Sequence, residues 1–125
     1  MAHPDNPRIA PRWPARLWTV RHGQSAGNVA RDAADAAGAH RIAIDHRDVD
    51  VPLSQLGREQ ATALGHWFAA LDENDRPEVV LASPYVRAIE TAELFRAAGG
   101  CAGDLPVCID ERLREKEFGI VDGLT

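Results

Sequence analysis

The chain has 125 residues, enough for one domain and hardly for two. With 45% hydrophobic residues it has the material for a packed core, which excludes wholesale disorder. A net charge of −5, from 14 basic and 19 acidic residues, argues against a general nucleic-acid binder, which carries a basic patch or stripe; a local cationic pocket for an anionic metabolite stays open.

The first residues, "MAHPDNPRIAPRWPAR", contain four prolines and no apolar core of a signal peptide, so 1–15 reads as a flexible arm ahead of a domain over 16–125. No stretch approaches the apolar length of a membrane span, and a soluble, cytoplasmic protein with no membrane partner is expected. Cys101 and Cys108 fit neither a zinc nor a CxxC redox spacing and read as two reduced thiols.

Leu17 to Val20 is a short apolar run, predicted as a strand buried on both faces. Residues 25–52 are rich in Ala and Asp; the part before Gly38 has helical character, and "AHRIAIDHRDVDVP" reads as a long surface excursion of the kind that forms lids. Ser54 is placed to cap a helix running to about Leu71, with Leu56, Ala63, Leu64, Trp67, Phe68 and Leu71 as its apolar face. "EVVLAS" (78–83) is a second strand, and Ser83–Pro84 opens a helix that passes Ala88, Thr91, Ala92 and Phe95 and stops at Gly99–Gly100. "LPVCID" (105–110) is a third strand. Strand, helix, strand, helix, strand predicts an α/β domain with a parallel sheet, in which ligands bind beyond the carboxyl ends of the strands.

After the first strand come Arg21, His22, Gly23, Gln24, Ser25 and Asn28; after the second, Ser83, Pro84 and Arg87; after the third, Glu111, Arg112, Arg114, Glu115 and Glu117. Two arginines, a histidine, an asparagine and a carboxylate converging on one sheet edge suit a phosphate, because the planar guanidinium matches phosphate oxygens in pairs. "HRD" at 46–48 lacks the other kinase motifs. His46 with Asp45, Asp48 and Asp50 has no metal-ligand spacing, so neither a metal nor a cofactor is expected.

"RHGQSAGN" resembles the signature of the histidine phosphatase superfamily, also called the phosphoglycerate mutase-like fold. Three further stretches resemble that family in order: "PLSQLGREQA" at 52–61, "SPYVRAIETA" at 83–92 and "LREKEFGIVDGLT" at 113–125. The resemblance implies a three-layer parallel-sheet fold and a metal-independent phosphomonoesterase acting on a small-molecule phosphomonoester. It implies His22 as the nucleophile that forms a phosphohistidine. Arg21 and Arg87 would hold the phosphoryl oxygens, with Asn28 as a further donor, and Glu115 would be general acid and then base. Gly23, Gln24 and Ser25 follow the nucleophile and are expected at the substrate.

The chain departs from the family in one respect. The family completes its phosphate pocket with a second histidine from a later strand, whereas His3 lies in the arm, His40 and His46 in the excursion and His66 inside a helix. The family's later strands and helices are also missing, so the domain is expected to be incomplete at its C-terminus, with an exposed sheet edge that favours a homo-oligomer. A phosphoglycerate-type mutase and a non-catalytic phosphate-binding module are the alternatives; the long 29–52 excursion favours phosphatase over mutase.

Overall fold

The computed structural model describes residues 13–41 and 47–114, so the arm up to residue 12, the middle of the excursion and everything from Glu115 onward lie outside the described residues. The elements are α1 (Ala26–Ala37), α2 (Gln55–Ala69), β1 (Leu81–Ala82), α3 (Val86–Ala97) and β2 (Cys108–Ile109), with short 3-10 turns at Asp48–Asp50, Glu73–Asp75 and Glu111–Leu113. β1 and β2 pair in parallel, Leu81 with Cys108 and Ala82 with Ile109, and α3 is the crossover between them. The α/β class with a parallel sheet is therefore as expected, although the ladders are shorter than the apolar runs. No helix among the described residues is long and apolar enough to cross a membrane.

Local signals explain the helices. Ser25 caps α1: its hydroxyl accepts from Asn28 N–H while the Asn28 carboxamide oxygen accepts from Ser25 N–H, a reciprocal capping box. Gly38 ends α1 in the left-handed region, φ 67°, where a side chain would be strained. Ser54 caps α2 through Gly57 N–H, as its position in the sequence predicts.

Three expectations are corrected. Leu17 to Val20 forms no ladder among the described residues, and Leu17 is 80% exposed. Apolarity reports a tendency to burial; a strand also needs a neighbouring backbone, and the described residues provide none there. Second, α3 begins at Val86 and Tyr85 is its N-cap, so Pro84 precedes the helix. Ser83 Oγ accepts from Tyr85 N–H and inserts a turn first. Third, the buried face of α2 is Gly57, Ala61, Gly65 and Phe68, while Leu56 and Trp67 are exposed.

That face follows from close packing. Gly65 lies so near α3 that a Cβ there would sit 2.5 Å from the Phe95 carbonyl oxygen. The space between the helices is filled by Phe68 and Phe95, edge to face at 5.0 Å, and Trp18 continues the stack on Phe68 at 4.9 Å. The excursion also returns into the structure: Val51 and Leu53 are buried, and Ser25 pairs with Leu53 in an antiparallel bridge. Val51 to Leu53 are thus packed rather than part of a free surface loop.

Candidate active site

The segment 21–28 leaves the apolar run and enters α1, and its backbone is gripped from both sides. Gln24 carbonyl oxygen accepts from Ser54 N–H at 2.9 Å, and Ala26 N–H donates to the Pro52 carbonyl at 2.8 Å. Gly23 and Gly57 meet backbone to backbone: a Cβ on Gly23 would collide with the Gly57 carbonyl, and one on Gly57 with the Gln24 carbonyl. Glycine at both positions permits that approach.

His22 is half-buried at the end of this grip. Its Nδ1 lies 2.6 Å from the Gly23 carbonyl oxygen. A carbonyl oxygen only accepts, so Nδ1 carries the proton in this bond, and in the neutral ring the lone pair is then on Nε2. Ser25 and Asn28 use their side chains in the capping box; the Asn28 NH₂ remains the donor it offers a ligand.

Arg87 is the second residue of α3 and is 6% exposed. Its guanidinium stacks on the fully buried Tyr85 ring at 4.7 Å. Its Nη1 donates to the Asp48 carbonyl oxygen at 2.7 Å and to the Asp48 carboxylate at 3.2 Å. Asp48, on the returning leg of the excursion, therefore holds a carboxylate on the arginine expected to meet phosphate.

Arg21, His22, Ser25, Asn28, Asp48 and Arg87 all line one open cleft of about 1640 Å³. Arg31 and Arg41 line it too, so its polar part is rich in fixed positive charge. Of the expected substrate contacts, Gly23 and Gln24 do not line the cleft. Gly23 N–H donates to Thr91 Oγ1, and Gln24 bonds Gln60 and Ser54; both residues brace the segment from behind. His40 and His66, the other described histidines, do not line the cleft either.

Glu115 lies outside the described residues. The chain leading to it does come to the site. Asp110 caps the turn after β2, and hydrogen bonds from Arg112 pull its carboxyl down to about 2. Leu113 lines the cleft, and the Arg114 guanidinium lies 5.8 Å from the same Tyr85 ring that carries Arg87.

Four residues escaped the sequence reading as parts of the site: Asp48, Gln60, Glu90 and Thr91. Glu90 accepts from Leu53 N–H at 3.0 Å and from Arg58 at 2.7 Å, which ties the returning excursion to α2 and α3. Each acts across 32 or more positions of sequence, and no local pattern marks such contacts.

Comparison with known proteins adds to this geometry. The family model of the histidine phosphatase superfamily (branch 1) matches residues 17–125. A glucosyl-3-phosphoglycerate phosphatase of Mycolicibacterium vanbaalenii is 36% identical over 110 residues, 88% of this chain and 40% of that protein. The fructose-2,6-bisphosphatase TIGAR of Xenopus tropicalis is 29% identical over 107 residues, 86% of this chain and 34% of that protein. Among solved structures, a mycobacterial glucosyl-3-phosphoglycerate phosphatase in complex with VO3 superposes with a TM-score of 0.58 at 32% identity, covering 83% of this chain and 42% of the other. The chain thus spans well under half the length of these relatives.

Proposed function

The chain belongs to the histidine phosphatase superfamily, and from that membership and the chemistry of its cleft we propose that the protein is a metal-independent phosphomonoester hydrolase working through a phosphohistidine on His22. The observation that carries the reading is the meeting of His22, Arg21, Asn28 and Arg87 on one cleft, with the His22 proton committed to the Gly23 carbonyl.

In this mechanism Nε2 of His22 attacks the phosphorus of the monoester. The phosphorus–oxygen bond to the leaving alcohol breaks as the N–P bond forms, and Glu115 gives its proton to the alcohol oxygen. Water then attacks the phosphohistidine, Glu115 takes the water proton, the N–P bond breaks and inorganic phosphate leaves. Arg21, Arg87 and the Asn28 NH₂ neutralise the equatorial oxygens, where charge is spread in the transition state. The cations supply the electrostatics that a metal supplies elsewhere.

The test is hydrolysis of p-nitrophenyl phosphate with EDTA present, in the chain and its His22→Ala variant. The expected result is turnover unaffected by EDTA and reduced on the order of 10³-fold or more in the variant. Brief reaction with ³²P-labelled substrate should leave acid-labile label on the wild type alone. Turnover equal in both chains overturns the reading. A second reading, a non-catalytic phosphate-binding module, is favoured by the lack of another described histidine on the cleft. It predicts phosphate binding without turnover.

A further inference from the structure

The nucleophile's tautomer depends on a single peptide plane, and that plane has its own partner. The Gly23–Gln24 peptide offers its carbonyl to His22 Nδ1–H at 2.6 Å, and its N–H, on the opposite edge, donates to Gln60 Oε1 at 2.8 Å. A hydrogen bond accepted from one edge of an amide polarises the other, so Gln60 strengthens the carbonyl that holds the imidazole proton. It also prevents the plane from rotating about its Cα–Cα axis.

The preceding plane is held as well. Gly23 N–H donates to Thr91 Oγ1 at 3.1 Å. The Thr91 hydroxyl spends its own proton on the Arg87 carbonyl at 2.7 Å, which turns its lone pairs toward Gly23. Thr91 is 6% exposed and stands one turn after Arg87 on α3. Gln60 is exposed on α2. The two helices therefore grip Gly23 through one hydrogen bond each, on successive peptide planes, while the Gly57 backbone closes the space behind it.

We propose that Gln60 and Thr91 are positioning residues for His22: acting through the two peptide planes of Gly23, they hold the imidazole as its Nδ1–H tautomer and so present Nε2 to the substrate. Neither touches the reacting atoms. The proposal rests on the reading that His22 Nε2 is the nucleophile, but the tautomer itself is observable without turnover. Without the clamp, the Gly23 carbonyl is free to swing away, and the ring exchanges between both neutral tautomers.

The experiment uses the chain labelled with ¹⁵N-histidine, its ring signals assigned with His22→Ala. In the wild type, His22 should give the pair of nitrogen shifts of an Nδ1–H, Nε2-lone-pair imidazole. Gln60→Leu, at an exposed position, and Thr91→Val, of the same shape, should both move these shifts toward the two-tautomer average. On p-nitrophenyl phosphate, kcat should fall with KM nearly unchanged, because the variants disturb the orientation of the nucleophile and leave the arginines that bind the phosphoryl group in place. Gln60→Glu and Thr91→Ser keep the accepting oxygen and should return the shifts toward wild type. His22 remaining fully Nδ1–H in Gln60→Leu, with kcat intact, overturns the proposal. Gln60→Leu serves even if Thr91→Val fails to fold. A wild type without turnover whose His22 shifts still respond to Gln60→Leu would support the clamp and refute the hydrolase reading, so the two fail separately.

Discussion

At the scale of single residues, the site holds a competitor for its own ligand. Arg87 is paired with the Asp48 carboxylate at 3.2 Å, and the arginine side chain is only 7% exposed. A phosphoryl group entering the cleft carries the same charge as that carboxylate, so binding must displace or repel it. Asp48→Asn removes the charge and keeps the backbone carbonyl contact at 2.7 Å. It should lower KM for p-nitrophenyl phosphate roughly fivefold, the equivalent of ~1 kcal/mol of pairing no longer displaced. A KM that rises instead would show Asp48 to be needed for aiming the guanidinium. Arg87 was legible in the sequence because it follows an apolar run and sits within a family-like motif. Asp48 was not, because its importance comes from a contact 39 positions away. Ser25 and Asn28 were legible as belonging to the site. Their mutual hydrogen bonds make them a helix cap as well, with Asn28 in the place usually held by Glu or Gln.

At the scale of elements, what is local in sequence was readable and what depends on a partner was not. The Ser54 cap and the extent of α2 follow from hydroxyl chemistry and periodicity over a few residues. The face that α2 buries does not. Hydropathy points to Leu56 and Trp67, but α3 comes close at Gly65 and the Gly23–Gln24 backbone at Gly57, so small residues are buried beside Phe68 while Leu56 and Trp67 turn outward. The strands shrink to two residues each for a related reason, since a ladder is a property of pairs. Close approach at Gly65 has a measurable consequence. In Gly65→Ala the new methyl meets the Phe95 carbonyl at 2.5 Å and the Ala98 Cβ at 2.7 Å, backbone and short side chain that have little room to yield. Overpacking of this kind costs about 1–3 kcal/mol, more than the ~1 kcal/mol of helix propensity that alanine restores. The urea midpoint should therefore fall; an unchanged or higher midpoint would mean that α2 and α3 are not in this register.

At the scale of the whole molecule, the cleft mixes two kinds of lining. Arginines and His22 line it together with the apolar side chains of Leu17, Trp18, Val20, Val79 and Leu81. Leu17, Val20, Val79 and Leu81 are 80%, 50%, 54% and 57% exposed, so apolar side chains face water at residues read from sequence as the interiors of buried strands. The fold class was legible because alternation of apolar runs and amphipathic helices is a whole-chain pattern. The exposure was not, because hydropathy states what a segment would bury and says nothing about what covers it. Exposed apolar surface lining a cleft of a folded chain binds hydrophobic dyes without unfolding. The native chain should enhance anilinonaphthalene sulfonate fluorescence at low temperature and neutral pH while keeping the near-ultraviolet circular dichroism that a loosely packed globule loses. Leu81→Lys puts a charge on that surface, on a side chain already more than half exposed, and should reduce the enhancement with little change in the unfolding midpoint. Val79→Lys should do the same. Dye binding unaffected by either variant would mean that the apolar lining of the cleft is covered in solution. The loss of near-ultraviolet signal together with strong dye binding would mean instead that the helices are not packed as described.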